Sequence, residues 1–458
     1  MTFFGRELEL AYFDKVLKAA RKSPQIVVVY GRRRVGKTTL VNEFIRRRKR
    51  GINFFVEPKD GQLLLADLEE EIMDLGVQRR PVFKTFDDFF EYLFEYLGRN
   101  GDPMVFSFDE VQNFNRSVPG FFVKLQKYWD KYQADSRIML VCIGSLVGMM
   151  KKTFQDKKEP MFGRAQHFIN LRRFDFWETR EMLRVYGGVK DDDEAVYLFG
   201  ILDGIPKYLQ YVQGFYDGDL YRFIDDVFVS ELAPLKEEGK FILVQEFGSD
   251  HSGYFSLLEC ISRGKRIPVE MSHKTSIHLS TVGKYLHDLT TYYEIVERRY
   301  PVTEDPFKSR NVRYFLGDNF YRFWFSMVYQ RKSLDRIRSE LDSFMGPVFE
   351  DLCIQYTKRH LGYEHVGRWW KRDNEIDIVG LEKGMPPLVG ECKWSKNKVN
   401  VDTYLALRHK FTPFQAAEKN NVTMRYALFS RSGFTKRMKS LAAKEDVLLV
   451  DLKDICKV

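Results

Sequence analysis

The sequence predicts an α/β protein that opens with a doubly wound parallel sheet. Three observations carry this. The octapeptide Gly31-Arg32-Arg33-Arg34-Val35-Gly36-Lys37-Thr38 fits the phosphate-binding loop Gly-x-x-x-x-Gly-Lys-[Ser/Thr] without a mismatch. The run Gln25–Tyr30 before it reads as a buried parallel strand, and Thr39 to Ile45 after it as a helix. Further apolar runs at 104–108 and 137–144 are separated by helical patterns, which places a ligand at the strand C-ends.

Taken in order, residues 1–24 form an amphipathic lead-in helix, then the first strand and the loop. The 104–108 strand ends in Asp109-Glu110, and the 137–144 strand ends in Ser145. Residues 172–245 are helical, broken at Asp203-Gly204-Ile205-Pro206. Helices at 253–262 and 269–272 follow, and a third opens at the cap pair Ser280-Thr281 with Val282, Tyr285, Leu286 and Leu289 at helical spacing. Strands at 293–300 and 313–316 complete a winged helix-turn-helix. Residues 331–342 read as a charged connecting helix. From 343 a new α/β unit starts, with an opening helix and strands at 375–379, 388–393, 425–429 and 447–450. The expected domains are 1–171, 172–245, 246–330, 331–342 and 343–458.

Composition bounds the class. The 458 residues, 44% hydrophobic with 39 Phe and 24 Tyr, support several aromatic-rich cores. No apolar run approaches the roughly 18 residues of a membrane span, and the N-terminus is acidic and too short of apolar length for a signal peptide. The five scattered cysteines and eight histidines show no zinc spacing, so a cytoplasmic protein with reduced thiols is expected. Net charge is +9, and residues 21–50 hold eleven Lys/Arg against Glu43 alone. That balance is compatible with nucleic acid, or with basic charge at a helix C-terminus.

The motifs carry specific chemistry. A glycine loop between strand and helix aims backbone N–H groups and the positive helix end at phosphate. Gly31, Arg34, Val35, Gly36, Lys37, Thr38 and Thr39 would line it, with Lys37 on the β- and γ-phosphates and the Thr38 hydroxyl on Mg²⁺. Asp109 would hold Mg²⁺, and Glu110 would polarise a water as general base. Ser145 is either a γ-phosphate sensor or a strand-end turn. Arg164 is either a charge for the γ-phosphate or a surface arginine. Phe4-Gly5-Arg6-Glu7-Leu8-Glu9-Leu10, Asp109-Glu110-Val111-Gln112, Gly144-Ser145, Phe162-Gly163-Arg164 and Gly204-Ile205-Pro206-Lys207-Tyr208-Leu209, in this order, resemble archaeal-type ATPases of the STAND-like branch of AAA+ relatives, near the origin-recognition ATPases. The match covers residues 1–325, ending at Arg322-Phe323-Trp324-Phe325. The resemblance implies ATP as substrate, Gly5 and Arg6 near the adenine or ribose, and a lid around Pro206 that senses nucleotide.

In the C-terminal unit, Asp377 lies on one strand and Glu391 and Lys393 lie two apart on the next, so the latter share a face. A hairpin would bring Asp377 beside them. Two carboxylates can hold Mg²⁺ or Mn²⁺, and Lys393 can orient a water in phosphodiester hydrolysis. A buried ion pair is the alternative. The pattern resembles the PD-(D/E)xK nuclease superfamily, with a restriction-endonuclease-like fold, and the DUF234 domain that follows archaeal-type ATPases. That resemblance implies Glu350 as the helix carboxylate of the metal site. Ile376 stands where the superfamily has proline. The expected activities are ATP hydrolysis and metal-dependent endonucleolytic cutting of DNA. The rival is a nucleotide-dependent switch or scaffold. Lys284, His278, His287, Arg298, Arg299, Lys308, Arg310 and Arg313 would meet DNA phosphates, or the winged helix would dock protein. A homo-oligomer is left open.

Overall fold

The computed structural model describes residues 3–77, 79–99, 102–248, 251–418 and 423–457. The chain divides into two compact units, Met1–Arg173 with Thr291–Tyr293, and Phe174–Thr290 with Glu294–Val458.

The first unit is built on five strands: β1 (Gln25–Tyr30), β2 (Gly51–Phe55), β3 (Met104–Asp109), β4 (Ile138–Gly144) and β5 (His167–Asn170). Their order is β2-β3-β4-β1-β5, and every pairing is parallel. Alternate residues of β1 enter opposite cores. Val27 and Val29 pack with Leu10, Phe13 and Val16 of the lead-in helix and with Leu40 and Phe44. Ile26 and Val28 join a phenylalanine-rich layer on the other face. Burial on both faces explains why β1, β3 and β4 are unbroken apolar runs. The lead-in helix is Glu7–Ala19, shorter than 1–24.

The strands β2 and β5 were not expected. Both are edge strands with half-exposed residues, and Asn53, His167 and Asn170 interrupt their apolar character.

In the second unit, helices His251–Ser262, Pro268–Thr275 and Leu279–Thr291 precede β6 (Val296–Arg299) and β7 (Arg313–Leu316), which pair antiparallel. The third helix begins at Leu279, one residue before the expected cap pair. The connecting helix and the opening helix of the last domain are corrected to one helix, Leu334–His360. The reason is its unbroken stripe: Ile337, Leu341, Met345, Val348 and Leu352 are all buried at helical spacing, and Pro347 is held inside it.

The C-terminal sheet contains β8 (His365–Lys371), β9 (Asn374–Leu381), β10 (Leu388–Lys393), β11 (Arg425–Ser430) and β12 (Leu448–Asp451), ordered β12-β11-β10-β9-β8. β8, β9 and β10 run antiparallel, while β10, β11 and β12 run parallel. The unexpected strand is β8, whose Arg368 and Lys371 hid its buried Trp369 and Trp370. No described helix is long and apolar enough to cross a membrane.

Backbone geometry is tight where the phosphate loop begins. Gly31 has φ 148°, and a Cβ there would sit 2.3 Å from the Leu171 carbonyl oxygen. Gly31→Ala should therefore destabilise the protein by about 3 kcal/mol, read as a lower urea midpoint; an unchanged midpoint would show the loop relaxes freely.

Candidate active sites

Parallel pairing of β3, β4 and β1 sets the C-ends of these strands side by side. The loop from Gly31 to Gly36 leaves β1 and enters the helix Lys37–Arg48 through a left-handed Gly36, φ 93°. Arg34 is also left-handed, φ 70°, an unfavourable posture for a residue with a Cβ. Lys37 Nζ donates to the carbonyls of Gly31 at 2.8 Å and Arg32 at 3.0 Å, which draws the loop around the ammonium. Thr38 Oγ1 donates to Asp109 Oδ2 at 2.5 Å. Phe108, packed edge-on against Phe114 and Phe121, anchors the end of β3 that presents Asp109.

Asp109 is 2% exposed. Burial pushes its carboxyl above the usual range and the Glu110 charge adds to this, while the Thr38 hydrogen bond and the Lys37 charge oppose it. A buried carboxylate beside a hydroxyl is the donor set Mg²⁺ takes at such loops, so the residues fit that ion. Glu110 turns left-handed, φ 55°. Ser145 Oγ donates to Glu110 Oε2 at 2.8 Å, and Gln112 Nε2 donates to the same oxygen. Ser145 thus faces Glu110 at the end of β4.

Arg6 caps the lead-in helix in a left-handed posture and donates to the carbonyls of Val35 at 3.3 Å and Arg172 at 2.6 Å. It therefore touches the phosphate loop. Neighbouring Gly5 is left-handed as well, φ 64°. Thr39 lies in the first turn of the loop helix. Arg164 is committed elsewhere: its Nε and Nη2 pair with Asp130 at 2.9 and 2.6 Å, and Nη1 meets the carbonyls of Pro160 and Phe162. Pro206 belongs to the second unit, in the first turn of the helix Pro206–Phe215.

In the C-terminal sheet, antiparallel register places Asp377 and Glu391 as the next pair after Ile378 and Gly390. Asp377 Oδ2 accepts from the Cys392 N–H at 2.9 Å, and Lys393 Nζ donates to Glu391 Oε1 at 2.8 Å. A second lysine, missed in the sequence, completes the cluster. Lys410, on the helix Val401–Glu418, donates to both oxygens of Glu391 at 3.1 and 2.9 Å. It had no sequence signal, being one lysine in a basic helical stretch.

Glu350 is not assembled as a third ligand. Its Oε2 is held by Arg368 at 3.0 and 2.7 Å. Among the described residues no group of three or more His, Cys, Asp or Glu side chains could hold a metal ion. The sequence-level three-carboxylate set is thereby corrected to a pair, Asp377 and Glu391. Arg368 also bonds Asp351, which accepts from Arg299 and Arg322. Burial would raise the Asp351 carboxyl, but the three guanidiniums prevail and hold it well below its usual range.

Of the basic residues expected at DNA, Lys284, His278, His287, Lys308 and Arg310 are exposed. Arg299 is spent on Glu297 and Asp351, and Arg313 on Glu375 and the Trp370 ring. Arg298 braces the β6–β7 loop through the carbonyls of Pro306 and Ser309.

Burial, then the charges of Glu391 and Glu350, push the Asp377 carboxyl up to about 7. The folded protein prefers this group protonated, whereas the unfolded chain ionises it near its ordinary value of 3.8. The stability it contributes is complete below that value and is lost as pH rises toward about 7, with a slope of up to about 1.4 kcal/mol per pH unit. Asp377→Asn should flatten this decline in urea unfolding between pH 4 and 7 (roughly the window between the two values); an unaltered slope would place the effect elsewhere.

Comparison with known proteins follows the same division. Residues 3–212 match the family described as an ATPase domain predominantly from Archaea, and residues 324–404 match DUF234, Archaea bacterial proteins of unknown function. An uncharacterized protein of Methanocaldococcus jannaschii is 25% identical over 473 residues, covering 99% of each chain. In structure the chain is similar to a Walker-type ATPase of Pyrococcus abyssi, with a TM-score of 0.53 and 18% identity over 71% of this chain and 96% of that one. It is also similar to the ORC2 protein of Aeropyrum pernix, at TM-score 0.46 and 12% identity, covering 74% and 92%. The phosphate loop, Asp109 and Glu110, at the ends of a parallel sheet, fall within the stretch similar to the archaeal ATPase domain, and Asp377, Glu391 and Lys393 fall within the stretch similar to DUF234.

Proposed function

We propose that the chain hydrolyses ATP at the Gly31–Thr38 loop and that this reaction governs a DNA-cutting site formed by Asp377, Glu391 and Lys393. The observation that carries the first half is the Thr38–Asp109 contact with Glu110 beside it. Lys37 exchanges the Gly31 and Arg32 carbonyls for phosphate oxygens of ATP. Thr38 and Asp109 would hold Mg²⁺, which supplies positive charge against the charge developing on phosphate. Glu110 takes the proton of the attacking water, and Ser145 orients its carboxylate. Gly5 and Arg6 border the nucleoside, Arg34, Val35, Gly36 and Thr39 border the phosphates, and Pro206 opens the lid. Arg164 serves as a brace on Asp130 unless that pair opens.

Support for the second half is the Asp377 carboxyl raised to about 7 beside a lysine-flanked Glu391, a perturbation of the kind found at functional sites. Asp377 and Glu391 would hold Mg²⁺ or Mn²⁺, and Lys393 and Lys410 offset phosphate charge. The exposed Lys284, His287, Lys308 and Arg310 would meet the DNA backbone, with affinity falling as salt rises.

Steady-state ATPase assays should show Glu110→Gln lowering kcat by about 10²–10⁴-fold with ATP still bound, and Lys37→Ala abolishing nucleotide binding. Turnover of Glu110→Gln equal to wild type would remove the base. Plasmid and linear DNA, incubated with Mg²⁺ or Mn²⁺ with and without ATP, should be cut by wild type and spared by Asp377→Ala and Lys393→Ala. Equal behaviour of all three would leave the alternative: a nucleotide-dependent switch or scaffold whose C-terminal domain binds partners and cuts nothing.

A further inference from the structure

We infer that Gln112 is a positioning residue for ATP hydrolysis, acting through Glu110, whose carboxylate it fixes at the end of β3. The inference rests on the reading of Glu110 as general base. After β3 the chain turns left-handed at Glu110 and makes one 3-10 turn, Val111–Asn113, which folds Gln112 back beside it. Gln112 is 4% exposed. An ionised carboxylate only accepts, so the amide nitrogen must be the end that faces Glu110, and Nε2 does donate to Oε2.

Two details separate this glutamine from a packing residue. Its Oε1 is buried and meets no donor among the described residues. Native interiors rarely leave such an oxygen unpaired without a reason. That oxygen also dictates its neighbour: a Cβ on Gly144 would lie 2.7 Å from it and 2.2 Å from Met150 Sδ. A methionine at 112 would fill the same space with no polar atom to satisfy.

Ser145 and Gln112 both donate to Oε2 of Glu110, which leaves Oε1 to accept a water hydrogen. Gln112 Oε1, packed against Gly144, is shut off from water, so the glutamine acts on the reaction only through the carboxylate it holds.

The test compares Gln112→Met, Gln112→Glu, Glu110→Gln and the double variant Glu110→Gln/Gln112→Met in the full chain. ATP turnover and binding of a fluorescent ATP analogue are both measured. Gln112→Met should lower kcat about tenfold or more, with KM and analogue affinity within about twofold. Gln112→Glu, isosteric but repelling Glu110, should do the same and serves if the methionine variant fails to fold. In the Glu110→Gln background, Gln112→Met should cost nothing more. The inference is overturned if both Gln112 variants turn over as wild type, or if Gln112→Met costs the same factor in both backgrounds. If Glu110→Gln itself is fully active, the base falls and Gln112 with it; an inactive Glu110→Gln beside an unaffected Gln112→Met removes Gln112 alone.

Discussion

Parallel pairing of β1, β3 and β4 is the constraint on which the nucleotide site depends. Strands that run the same way end on the same edge. The phosphate loop, Asp109 and Ser145 therefore meet at one edge although 107 positions separate Lys37's neighbour Thr38 from Ser145 (145 minus 38). Each strand is buried on both faces, so none can slip without driving its apolar residues out of two cores at once. The phenylalanine-rich layer against one face holds Phe108, and through it the carboxylate that follows.

Electrostatics at that edge are matched pair by pair. Lys37 is hydrogen-bonded by loop carbonyls and Asp109 by a hydroxyl, so neither buried group is left without a polar partner. These are the contacts a phosphate and its cation would replace, which makes the site pre-organised at little cost in rearrangement. The C-terminal cluster follows a different logic. There two carboxylates face each other, one held between lysines and the other driven toward its protonated form. Arg368 pairs with Glu350, whose charge still reaches Asp377, and ties it to the Asp351 network, which spans β6, β8 and the helix Leu334–His360.

Particular residues show how far the sequence could be read. Val27 to Val29 and Ile138 to Ile143 are apolar without interruption because both faces are covered, and such strands announce themselves. Edge strands do not: β2 and β5 carry the half-buried polar residues Asn53 and His167, and β8 looks polar because Arg368 is buried in an ion-pair network. The helix Leu334–His360 reads in sequence as two pieces around a charged stretch because a one-sided apolar stripe can be followed only once its packing partner is known. Phosphate-loop residues were legible since a short contiguous motif encodes its own backbone geometry.

By itself the sequence determined the loop Gly31–Thr38, the carboxylates at the end of β3, the two-apart placement of Glu391 and Lys393, and the class of the fold. These are local facts, set by contiguous residues and by periods of two and 3.6. Only the tertiary structure decided that Ser145 and Gln112 share one oxygen of Glu110, that Lys410 joins Glu391, that Glu350 belongs to Arg368, and that Arg164 braces Asp130. Each of those contacts turns on where a charged or polar side chain finds its partner. That choice is made by strand order and helix packing, since burial lets no such group remain without a partner cheaply.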